Sequence, residues 1–308
     1  SLVHDRISLA SAKLHLSHVS GFLDFTKRSI RSRDLSVVWL SVPLQIHVGG
    51  QARAGHRVVN ITTQGLFATS SIAAWSGWAG LSSWLKGSLM AHVQVLLPYA
   101  INRPVTVRVT SLLTGTTFLL PAPLNKKASH ALPMTLTWMG DVKTHHLEFH
   151  LGRRVAAKLM WYNQLQTMTG FIRLGHGVDM DCPRDQLLVT GQLSQINADR
   201  WWPVYQAFSS QLGLKRGANA MPRVHANILI NQVQALHHVL HRTLLEAKIN
   251  RSSAMVAVHS TELGAQVRMP LLTPSRLLKV TVFHAHLHSS SSGPFHFNWF
   301  DWPQLTVD

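Results

Sequence analysis

Residues 110–140 read TSLLTGTTFLLPAPLNKKASHALPMTLTWMG. A strand-like run ends in Phe118, Leu119 and Leu120. A turn punctuated by Pro121 and Pro123 follows and closes on Leu124, Asn125, Lys126 and Lys127. A second run begins at Leu132, with Met134, Leu136 and Trp138 alternating against Thr135 and Thr137. Alternation with period two buries one set of side chains and exposes the other. Prolines fix their own φ and donate no ladder hydrogen bond, so they belong at strand ends.

The same period recurs along the chain. Val105, Val107 and Val109 alternate with Thr106, Arg108 and Thr110, and Leu147, Phe149 and Leu151 alternate with His146, Glu148 and His150. Leu159 and Trp161 continue the pattern, as do residues 169–175, 187–196, 224–230 and 277–287. Gly49-Gly50 reads as a turn between strands at 41–48 and 57–63. Residues 1–35, with the basic cluster Lys27, Arg28, Arg31 and Arg33, read as a solvated loop or frayed edge. Residues 68–84 are spaced as a helix. A second helix opens at Asn197 or Asp199 as cap and stops at Gly213, and it tolerates Pro203 only in its first turn. Residues 233–248 fit either a helical stripe or strands.

Composition sets the outer limits. Hydrophobic residues make up 46% of the 308, too many for wholesale disorder. Charged residues make up 14%, against roughly 25% in an ordinary soluble domain. Lys and Arg number 29 against 13 acids, a net +16. Such a chain prefers anionic surfaces, whether lipid headgroups or nucleic acid. The lone Cys182 excludes an internal disulfide and a cysteine-based zinc site. The chain begins at Ser1 without a leader and reads as part of something longer. Residues 65–85 are uncharged and of spanning length, but their Ser, Thr, Gly and scattered Trp fit an amphipathic or buried helix better.

No phosphate-binding loop, dinucleotide fingerprint or nucleophile elbow occurs, and HLEFH at 146–150 lacks the zinc-protease spacing. An enzyme is not expected, nor a cofactor. His284, His286 and His288 would share a strand face about 6.6 Å apart, which is ordinary for a polar edge. His237 and His241 could face one way only on a helix. No metal site is expected.

Roughly a dozen alternating strands and only two helices leave more apolar sheet than helices can cover. A second sheet could hide it, or the sheet could curl so that its apolar face lines a trough. Periodicity alone does not choose between them. The motif order does carry a resemblance. LPAPLNK followed by a second strand resembles a segment of the AsmA-like YhdP family. So does the strand from Gly87 that ends in Leu97-Pro98. Gly170, Ile172, Leu174, Gly175, Leu187, Val189, Gly191, Leu193, Ile196, Asp199 and Trp201-Trp202 follow in the family's order, and the strand 260–270 closes it. The resemblance covers about residues 65–287.

What the resemblance implies is a mainly β protein, an elongated curved antiparallel sheet forming an apolar trough (β-taco-like) with two short helices. It implies strands at 233–248. The domains expected are an N-terminal β segment at 1–64, the trough at 65–288, and a linker leading to further β structure at 289–308. The function implied is non-enzymatic. A protein held in the inner membrane, on its periplasmic side, carries phospholipid to the outer membrane and supports its barrier, with the anchor lying outside this chain. Val105, Val107, Val109, Leu136, Trp138, Leu147, Phe149, Leu151, Leu159 and Trp161 are the candidate lining for acyl chains. Lys126, Lys127, Arg153 and Arg154 are the candidate rim for headgroups. Partners would be phospholipid and components of both membranes, with nucleic acid not expected. The rival readings are a basic nucleic-acid-binding β protein and an envelope spacer without cargo.

Overall fold

The computed structural model describes residues 2–9, 14–26, 30–53, 56–77, 80–100, 103–141, 143–162, 167–178, 181–183, 185–211, 223–236, 238–250, 252–271, 278–286 and 305–307. The chain is mainly β, strand making up 70% of the described residues. It divides into two units: Ser1–Leu119 with Asn125–Gly152, and Leu120–Leu124 with Arg153–Asp308.

The first unit is a run of antiparallel neighbours. Its strands are β1 (Leu2–Leu9), β2 (Leu14–Phe25), β3 (Ile30–Trp39), β4 (Val42–Arg53), β5 (His56–Ala68), β6 (Leu85–Pro98), β7 (Val105–Ser111), β8 (Thr116–Phe118), β9 (Met134–Gly140) and β10 (Thr144–Leu151). Each of β1 to β6 pairs with the next, then β6 with β7, β7 with β9 and β9 with β10. Short β8 pairs with the start of β6. Two expectations fail here. The first residues are not a frayed edge: β2 and β3 pair along their length, and Val19 is fully buried. Gly49-Gly50 lies inside β4, while the hairpin before it turns on Leu40 and Ser41, both with positive φ.

Residues 68–84 form not one helix but two, α1 (Thr69–Ser76) and α2 (Leu81–Trp84). Gly77 takes the left-handed conformation at φ 71 and donates its N–H to Ala74 O, which stops α1 in the usual glycine manner. The hydroxyl of Thr69 bonds the carbonyls of Leu85 and Gly87 and ties the start of α1 to β6. Among the described residues no helix is long and apolar enough to cross a membrane.

The second unit contains β11 (Val155–Tyr162), β12 (Thr167–Gly175), β13 (Gln186–Asn197), helix α3 (Ala198–Gln211), β14 (Arg223–Ala235), β15 (His238–Ile249), β16 (Ser253–His259), β17 (Leu263–Pro270), β18 (Leu278–Ala285) and β19 (Leu305–Val307). Residues 233–235 and 238–248 are strand, as the resemblance implies. The sheet is mixed rather than purely antiparallel, because β12–β13, β13–β14 and β18–β19 are parallel pairs. A parallel neighbour requires the chain to cross back, and α3 provides that crossing between β13 and β14.

Asn197 is the cap of α3, its Oδ1 accepting from Arg200 N at 2.9 Å. Asp199 instead accepts from Leu236 N and anchors the β14–β15 turn. Pro203 falls in the second turn of α3, where it leaves the Asp199 carbonyl without its helical donor. Gly213 lies outside the described residues.

The sheet of each unit is open and curved. Helices α1 and α2 lie against β5, β6 and each other, and α3 lies against β14. Among the described residues no strand makes a substantial contact with any strand but its hydrogen-bonded neighbours. Among the described residues no second sheet is stacked on the first in either unit.

Candidate functional site

Register turns the alternation of single strands into rows. In the first unit Val48, Ile61, Val95, Val107, Trp138 and Leu147 stand side by side on β4, β5, β6, β7, β9 and β10. One step along lie Ile46, Thr63, Val93, Val109, Leu136 and Phe149. Five inter-strand gaps make each row about 24 Å wide. The opposite face carries Gln94, Arg108, Thr137 and Glu148 in one row. One face is therefore apolar across six strands, while the other mixes this polar row with Leu96 and Met139 in the next.

The second unit repeats the device. Ala157, Ile172, Val189, Ala226, Ala247, Val256, Val267 and Val280 form one row across eight strands. Leu159 stands opposite Gly170, beside Leu187 and Val224 in the next row, and Trp161 pairs with Met168. Leu193, Ile228 and Ile230 are the buried centre of this face, with Leu174, Val189 and Leu245 packed around them.

The structure thus places Val105, Val107, Val109, Leu136, Trp138, Leu147, Phe149 and Leu151 on one face of the first unit. Leu159 and Trp161 lie on the apolar face of the second. Leu151 is buried, but the other nine are only half-buried. A sandwich core would cover them fully, and among the described residues no second sheet does. Contiguous apolar surface left in this state marks a binding face.

The expected rim residues fare differently. Lys126 is 4% exposed. Its ammonium donates to Leu113 O and Thr116 O, both at 2.7 Å, and to Lys127 O at 3.1 Å. It also lies 5.9 Å from the centre of the Phe118 ring. This is a buried cation that organises residues 112–133, and it cannot meet a headgroup. Lys127 and Arg153 are exposed, and Arg154 is half-buried. Lys126 and Lys127 belong to the first unit, Arg153 and Arg154 to the second.

The LPAPL turn, residues 120–124, belongs to the second unit. There Trp201 of α3 donates its indole N–H to Ala122 O at 2.8 Å. Two segments that carried the resemblance therefore meet in space. Beside them Ala122, Gln195, Ile196, Asn197, Arg200, Gln232 and Gln234 line a cleft of about 240 Å³.

Titratable groups show local roles. Asp141 accepts from Lys143 N and Thr144 N in the β9–β10 turn, and the Thr144 and Lys143 amides hold its carboxyl below the usual range. Glu262 accepts from His241 N at 2.8 Å and meets His241 Nδ1 at 2.7 Å, and the His241 amide lowers its carboxyl likewise. The rings of His284 and His286 are 6.1 Å apart, while His237 and His288 lie outside the described residues. Among the described residues no three His, Cys, Asp or Glu side chains converge to hold a metal.

No curated protein and no solved structure matches the chain. A family model does, described as YhdP protein, and it matches residues 2–308. That span takes in both units and every row described above, and the family is one of non-enzymatic envelope proteins. With a match over almost the whole sequence, the chain belongs to the YhdP family.

Proposed function

We propose that this chain is a lipid-carrying segment of a protein anchored in the inner membrane, and that phospholipid passes along it toward the outer membrane, supporting that membrane's barrier. The observation that carries the reading is the set of apolar rows, in register across six strands in one unit and eight in the other, with no second sheet over them among the described residues. Acyl chains are suited to fill such a face, each buried CH₂ contributing about 0.8 kcal/mol. The mechanism is passive. The sheet supplies an apolar surface on which neighbouring sites differ little, so a tail can slide without a large barrier. No side chain needs to form a bond or move a proton.

The net charge also suits nucleic acid, but the geometry argues against it. A single-strand binder exposes aromatics beside basic residues. Here Trp138, Phe149 and Trp161 lie on the apolar faces, while Arg108 stands on the opposite one. Native mass spectrometry of the purified chain tests the reading. Phospholipid should co-purify in stoichiometric amount, and protein that is consistently lipid-free while folded would overturn it.

A further inference from the structure

The apolar face of the first unit has two unlike ends. At one end it is closed. Phe67, Leu89, Leu113 and Leu132 are buried there. Trp39 packs edge-on against Phe67 at 5.4 Å and against Trp75 of α1 at 5.6 Å. At the other end the columns on β5, β6, β7 and β10 run out toward polar or amphipathic side chains. On β5 the alternation Phe67, Gly65, Thr63, Ile61, Val59 arrives at Arg57. On β6 it passes Val95 and Leu97 to reach Tyr99, whose N–H extends the ladder to Arg57 O. Arg103 leads into β7. Lys143 leads into β10, where His145 stacks on Trp138 with ring centres 5.6 Å apart.

Arg57, Arg103 and Lys143 are exposed and Tyr99 is half in solvent. Arg57, Arg103 and Lys143 stand on or beside β5, β7 and β10, two strands apart each time in the order β5, β6, β7, β9, β10, so cations recur roughly every 10 Å along this rim. The acid between them, Asp141, is occupied by the amides of its own turn. The β5 column from Val59 to Phe67 is about 26 Å long, longer than the roughly 15 Å taken by the tails of one leaflet.

We infer that a phospholipid lies on the first unit with its tails along the columns toward the closed aromatic end and its phosphate at the rim formed by Arg57, Arg103 and Lys143. This rests on the lipid-carrying reading and adds to it an orientation and a headgroup site. It also moves the headgroup contacts from the turn at Lys126 and Lys127 to the opposite end of the strands. Tyr99 and His145 supply the amphipathic border between tail and headgroup, as aromatic side chains do at membrane interfaces.

The test uses the full chain and mixed vesicles of phosphatidylglycerol and diacylglycerol with identical tails. Bound lipid is extracted after re-isolation and counted by mass spectrometry. The wild-type chain should select phosphatidylglycerol several-fold, and salt should weaken the selection. The variant Arg57→Gln/Arg103→Gln/Lys143→Gln should bind both lipids near parity with total lipid unchanged, while Lys127→Gln/Arg153→Gln/Arg154→Gln keeps the selection. Wild-type selection in the first variant, or an equal loss of both lipids from it with an unchanged circular dichroism spectrum, would overturn the headgroup site. Absence of both lipids from the wild-type chain would instead overturn the lipid-carrying reading itself.

Discussion

Replacing Lys126 by Met keeps the length of the side chain and removes its charge and its donors. In the wild-type chain that ammonium makes three hydrogen bonds to carbonyl oxygens of residues 113, 116 and 127. Bonds to a charged group contribute roughly 1.5–3 kcal/mol each, so the three are worth about 4.5–9 kcal/mol gross. Taking the ammonium out of water costs several kcal/mol. The net loss expected from Lys126→Met is therefore about 3 kcal/mol. In a domain of this size that corresponds to a fall in Tm of roughly 6–12 °C. Lys127→Met, at the exposed neighbour, should stay within about 0.5 kcal/mol of wild type. Thermal melts followed by circular dichroism, with urea titrations of the same proteins, measure both. A Lys126→Met protein as stable as wild type would refute the structural role assigned to this lysine and return it to the surface.

Other substitutions probe other parts of the argument. Gly191→Ala should destabilise the second unit by about 1–3 kcal/mol, because φ is +147 there and a Cβ would lie 2.0 Å from Leu174 O. Urea denaturation reads this, and an unchanged midpoint would speak against the parallel β12–β13 pairing. Asp141 has its carboxyl held below its ordinary 3.8 when folded, so its contribution is full at neutral pH and disappears as pH falls through the folded value. Asp141→Ala should accordingly lower the melting temperature at pH 7 and flatten its decline below about pH 4; an identical acid limb in both proteins would contradict this. Phe149→Asp puts a charge at the β10 end of an apolar row, at a half-buried position. It should cut co-purifying lipid several-fold with the circular dichroism spectrum unchanged, whereas Glu148→Gln on the polar face should not.

Much of the fold is legible in the chain because period-two alternation is a local signal. Val105–Ser111, Met134–Gly140 and Thr144–Leu151 emerge as strands from their residues alone. What local pattern cannot give is register. That Val107, Trp138 and Leu147 stand in one row depends on how turns and crossings bring β7, β9 and β10 together. The hairpin at Leu40-Ser41 is invisible because leucine is no turn former and serine only a weak one, yet both take positive φ. Gly49-Gly50 misleads for the converse reason: glycine permits a turn without requiring one, and the Cβ space at Gly49 is simply empty.

The parallel pairs escape notice because strand direction leaves no trace in alternation. Lys126 reads as a surface charge because lysine usually is one. Only the fold shows three carbonyls converging on it. Arg57, Arg103 and Lys143 form no sequence cluster, since three separate strand ends bring them to one rim.

The central claim is that the apolar face takes acyl chains and the polar face does not. A photo-crosslinking amino acid at Phe149 and, separately, at Glu148 tests it at adjacent positions on opposite faces of one strand. Both variants would be loaded from phosphatidylglycerol vesicles, irradiated and analysed by mass spectrometry. The account predicts lipid adducts at 149 and none above background at 148. Equal labelling at the two positions, or none at 149 in a folded chain, would contradict it.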